Sequence, residues 1–150
     1  MQTIYHQILI KTTFETVFKA ITTQEGLSKW WLSDCIVKPE LGFINEFRYQ
    51  GLVNNKMKVI DLETNQRVEW ECIESDPEWI GTHVIFELSM HENLVKLNFK
   101  HTDWKEQTEF FGTCSYHWGR HLTMLREYCE TGIGQVDQKK ESEEIRRVKD

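Results

Sequence analysis

The sequence has no basic excess: 18 Lys and Arg stand against 24 Asp and Glu, for a net charge of −6 over 150 residues. Phosphate recognition needs a basic surface, so no nucleic-acid partner is expected. No window approaches the ~18–20 apolar residues of a membrane span, so no membrane insertion is expected either. The N-terminus, MQTIYHQILIK, lacks a basic segment followed by an apolar run and a cleavage site. The four cysteines, Cys35, Cys72, Cys114 and Cys129, form no CxxC pair and no finger-like metal spacing. Buried free thiols, a reducing cytoplasm, no cofactor and no metal are therefore the expectation.

What the chain does have is aromatic mass, six Trp and eight Phe. Such side chains fill cores and also line apolar pockets. The organising stretch runs from about Glu106 to Glu130. Its apolar residues Phe110, Phe111, Cys114, Trp118, Leu122, Leu125 and Cys129 recur at helical steps of three and four. A helix of about 25 residues is about 37 Å long at ~1.5 Å per residue, and its apolar stripe must be covered by the rest of the fold.

Before it, Thr3 to Lys11 reads as a strand, with Ile4, His6, Ile8 and Ile10 on one face. Thr12 or Thr13 then caps a short helix, TFETVFKAIT, whose stripe is Phe14, Val17, Phe18 and Ile21. A second short helix ends in Trp30 and Trp31, which either plug a helix–sheet junction or lend one ring to a ligand cavity. From Gly42 the pattern alternates, as in half-buried strands. FINEFRYQG, KMKVIDLE, RVEWECI, THVIFELSM and VKLNFKH are five such segments. Inward phase falls on Val68, Trp70 and Cys72, on Val84, Phe86, Leu88 and Met90, and on Val95, Leu97, Phe99 and His101. Hairpin-length connections imply an antiparallel meander. The fold class expected is α+β: a curved antiparallel sheet of about six strands with two short helices, wrapped around one long C-terminal helix. Residues 1–134 form this domain, and the polar stretch 135–150 reads as a solvated tail.

The segments FETVFKAIT with EGLSKWW, RVEWECIESDPEWIGTHVIFEL, LNFKHTDW and WGRHLTMLREYCETG, in that order, resemble the START-like (SRPBCC) helix-grip superfamily. Within it the chain is most similar to the family of the C-terminal domain of the activator of the ninety-kilodalton heat-shock-protein ATPase. The likeness covers roughly residues 3 to 134. It implies a cavity between sheet and long helix that takes lipids, hormones or polyketides. Some superfamily members are enzymes, and some of this family are linked to stress. No catalytic residue carries over. The co-chaperone activity of the activator proteins depends on a second, N-terminal domain.

The cavity implied would be lined by Trp30, Phe47, Trp70, Phe86, Phe99, His101, Phe110, Cys114 and Trp118, with Asn45 and His101 as polar handles. His101 can be a general base or a neutral, hydrogen-bonded core group. His117 and His121 share one side of the helix, but metal binding would need a third ligand. Cys114 is a buried thiol with nothing nearby in sequence to activate it. Three functions stay open. One is a binder of an apolar or amphipathic small molecule, and another is a protein-interaction or co-chaperone module. The third is a cyclase- or hydrolase-type enzyme using His101.

Overall fold

The computed structural model describes residues 1–134; the expected tail, 135–150, lies outside the described residues. The chain begins with β1 (Gln2–Ile10), α1 (Phe14–Thr22), α2 (Gln24–Trp30) and β2 (Asp34–Ile36). There follow β3 (Ile44–Tyr49), β4 (Leu52–Glu63), β5 (Arg67–Glu74), β6 (His83–His91), β7 (Leu94–Trp104) and α3 (Glu109–Thr131). The strands make one antiparallel sheet in the order β1-β7-β6-β5-β4-β3-β2. The sheet therefore has seven strands where about six were expected. The addition is β2, only three residues long and too short to show alternation.

Local chemistry sets the helix ends. The Thr13 hydroxyl accepts from Thr16 N at 3.1 Å and caps α1. Thr23 closes α1 through its amide and opens α2 by accepting from Gly26 N at 3.1 Å. The two helices then meet backbone to backbone. A Cβ on Gly26 would lie 2.5 Å from Ala20 Cα, closer than atoms can approach. Helix α3 starts at Glu109 because the hydroxyl of Thr108 accepts from Phe111 N at 3.1 Å. It ends at Gly132, whose φ of 80° is the left-handed cap that glycine adopts without strain.

Three further expectations change. Strand β4 starts at Leu52 because Gln50 and Gly51 both have positive φ, 52° and 78°, and make a tight hairpin turn. Met90, expected inside, is 56% exposed. Strand β5 begins at Arg67, opposite Glu87, so the last residues of β6 have no β5 neighbour to lean on. Trp104, beyond the expected strand VKLNFKH, belongs to β7. A register shift between the Gln2–Trp104 and Ile4–His101 pairs, with Asp103 at φ 66°, is a β-bulge. It lets two residues three apart, His101 and Trp104, both point inward.

Candidate functional site

All ten residues singled out in the sequence are buried. The inner face of the sheet carries a row of rings: Phe47 lies 5.9 Å from Trp70, Trp70 lies 5.4 Å from Phe86, and Phe86 lies 5.3 Å from Phe99. Helix α3 lays Trp118 on this row, 4.5 Å from Phe99. Cys114 and Phe110 continue the same stripe toward the helix N-terminus.

The paired tryptophans take different seats. Trp30 packs edge-on against Phe86 at 6.2 Å and donates its indole N–H to Ala20 O at 2.8 Å, which pins it to α1. Trp31, the cap residue of α2, enters the centre. Its ring is 4.3 Å from Phe47 and 5.0 Å from Trp118, and it stacks on Trp70 at 6.2 Å. The residue between sheet and helix is thus Trp31, which was not among the lining residues expected.

His101 sits at the α3 N-terminal end of this interior. The Thr82 hydroxyl donates its proton to Trp79 O at 2.6 Å, so at 2.8 Å it must accept from His101 Nε2. His101 Nδ1 accepts the Trp118 indole N–H at 3.1 Å. These partners define one neutral tautomer, with its proton on Nε2. Burial pushes the imidazole down to about 3. Both nitrogens are committed, which leaves no lone pair for proton abstraction in this arrangement.

Trp79 was missed because it lies in a short turn with no periodic signal. The signal available was the residue type: a large aromatic in a tight polar loop must bury somewhere. Its ring covers His101 at 4.7 Å and stacks on Trp118 at 6.1 Å, and its N–H donates to Cys114 Sγ at 3.3 Å. Glu78 of the same loop accepts from the Thr108 hydroxyl at 2.6 Å, which straps the loop to the start of α3.

The thiolate form is disfavoured at the other cysteines. Burial raises the thiols of Cys35 to about 11 and of Cys72 and Cys129 to about 12. His117 and His121 are buried on α3, where Arg120 donates to His117 Nδ1 at 3.1 Å and His121 turns its edge to Trp31. No group of three or more His, Cys, Asp or Glu side chains suited to a metal ion occurs among the described residues. Asn45 Nδ2 and Trp104 Nε1 are buried donors without a hydrogen-bond partner among the described residues. The other side of the Asn45 amide is fixed, since Oδ1 accepts from Lys38 N at 3.3 Å.

The outer face of the sheet is different in kind. Arg67 pairs with Asp61 and Glu69, Glu69 with His83 at 2.6 Å, and Glu87 with Lys100 at 2.9 Å. Beside this lattice an open groove of about 610 Å³ runs between Tyr5, Gln7, Asn98 and Lys100.

An antiparallel sheet closed over a long C-terminal helix, with an aromatic interior entered by a residue from a short helix, defines a helix-grip domain of the START-like class. The particular family follows from the sequence. Residues 11–130 match the family described as Activator of Hsp90 ATPase homolog 1-like protein, and the chain belongs to that family. Among solved structures it is similar to the Aha1 dimer from Colwellia psychrerythraea, studied in solution. The identity is 35% and the TM-score 0.82, over 89% of this chain and 100% of that one. The fold also recurs in SSP2350 from Staphylococcus saprophyticus, at 19% identity and a TM-score of 0.75, over 89% of this chain and 96% of that one. CalU16 from Micromonospora echinospora shares it at 17% identity and a TM-score of 0.69, over 97% and 84% of the two chains. No curated protein matches the sequence. Among the described residues no helix is long and apolar enough to cross a membrane.

Proposed function

We propose that this domain binds an apolar or amphipathic small molecule, lipid-like or polyketide-like, between its sheet and α3. The observation that carries the reading is the seat of Trp31. Trp31 caps a helix of only seven residues through its backbone N–H, and its indole reaches into the space between Phe47, Trp70 and Trp118. A ligand that displaced this ring would meet Trp70, Phe86, Phe99 and Trp118 on its flanks, with Trp30, Phe47, Phe110 and Cys114 around them. Binding energy would come from the apolar area removed from water, ~25 cal/mol per Å². His101 serves as a fixed wall, and Asn45 gives the ligand a polar end. Four free cysteines support a reducing, cytoplasmic setting.

A second reading is a protein-interaction or co-chaperone module whose rings are only a core. The mutual contact of those rings favours it, as does the dimer described for the Colwellia relative. Thermal melts across a lipid and polyketide panel separate the two, together with native mass spectrometry of freshly purified protein. Binding predicts a co-purifying molecule and a melting temperature that climbs with ligand concentration. No shift and no bound molecule would remove the binding reading. Pull-down with the heat-shock ATPase, followed by an ATPase assay, would then test the module.

A further inference from the structure

The sheet wall of the interior offers a ligand hydrogen-bond donors and no free acceptor. Asn45 Oδ1 already accepts from Lys38 N, and His101 Nδ1 from Trp118 Nε1. Thr82 Oγ1 is engaged on both sides, and Asn55 Oδ1 accepts from the Ser75 hydroxyl at 2.5 Å. The open capacity on this wall is Asn45 Nδ2 and Trp104 Nε1, both donors, in residues that are 0% and 1% exposed. Leaving such a donor unpaired is costly, and a ligand oxygen would recover that cost.

The two donors share one end of the sheet. Asn45 pairs with Met57 and Met57 with Cys72, whose amide donates to Thr82 O at 2.9 Å. Thr82 in turn holds His101, and the His101 and Trp104 rings are 4.9 Å apart. The row is thus polar at its ends and apolar between, where Met57 and Cys72 are buried. No lysine or arginine is buried among the described residues, so an anion would enter without a cation to offset its desolvation.

We infer that the ligand of this domain is an uncharged apolar molecule bearing a carbonyl-type oxygen, a ketone, quinone or ester, which accepts from Asn45 Nδ2. This rests on the binding function proposed above and narrows it. Alcohols fit less well at Asn45, where the amide donates and Oδ1 is already taken by Lys38 N. Carboxylates fit worst.

The test uses four probes on one thirteen-carbon skeleton: 2-tridecanone, 2-tridecanol, tridecanoate and tridecane. Binding to the full chain is followed by tryptophan fluorescence and by the side-chain amide signal of Asn45 in NMR spectra. The ketone should bind roughly tenfold tighter than the alkane or the alcohol, with tridecanoate weakest, and should shift the Asn45 amide protons. In Asn45→Leu the ketone should lose its advantage over tridecane. Equal affinity for ketone and alkane, or an Asn45 amide signal unmoved by the bound ketone, would overturn the inference while leaving the binding function standing. Failure of all four probes to bind would overturn both.

Discussion

At the scale of single residues, His101 shows how burial settles chemistry. A histidine at the end of an alternating strand reads equally well as a base or as a core group, and only its partners decide. Thr82, whose own proton is spent on Trp79 O, obliges Nε2 to donate, and Trp118 takes the remaining lone pair. The folded imidazole therefore resists protonation until about pH 3, whereas an unfolded one titrates near 6.5. Between those values the unfolded chain binds a proton that the folded chain refuses. Stability is then fully present above about pH 6.5 and falls as the medium is acidified, by up to ~1.4 kcal/mol per pH unit from this group. Urea midpoints at pH 7.5, 6.5, 5.5 and 4.5 should decline over the last three points. In His101→Asn, less stable throughout, the decline should be shallower by about that slope. A wild-type midpoint constant from 6.5 to 4.5 would contradict the assignment.

Elements were legible in the sequence to the extent that they repeat. The period of α3 and the alternation of β5, β6 and β7 suffice to place Trp70, Phe86, Phe99 and Trp118 inside. What lacks a period stayed hidden. Strand β2 is too short to alternate, Trp79 sits in a turn, and Trp104 changes face through a bulge whose cause is the backbone at Asp103. For the same reason Trp31 could not be ranked above Trp30, because adjacent residues at a helix end diverge only once the cap geometry is known. Two contacts between elements make predictions. Gly26→Ala would drive a methyl group into the α1 backbone and should cost about 1–3 kcal/mol in chemical denaturation. Thr108→Ala removes both the α3 cap and the tie to Glu78 and should cost about 1–2 kcal/mol, with Thr108→Ser largely restoring it.

Across the whole molecule, sheet and helices are held together by rings that meet around Trp31. Truncating that ring should be expensive for stability and informative for function. Trp31→Ala is expected to lose about 3–5 kcal/mol, read from urea melts. It should also take up an apolar fluorescent dye more strongly than the wild type does. A variant that melts lower without gaining dye affinity would mean that the neighbours collapse into the space. The outer face has no such dependence. Its ion pairs are partly exposed, so added salt should change stability little compared with loss of the Trp31 ring.

The pairing of β1 with β7 bears on how the protein is made. Gln2 sits opposite Trp104, so β1 has no partner strand until about a hundred further residues have been synthesised. Helix α3, which covers it, comes later still. Tyr5, Ile8 and Leu9 therefore wait on an unpaired edge until β7 is made, available to a chaperone or to another nascent copy. Closure of the sheet has to bring together the most widely separated strands in the fold, which slows it.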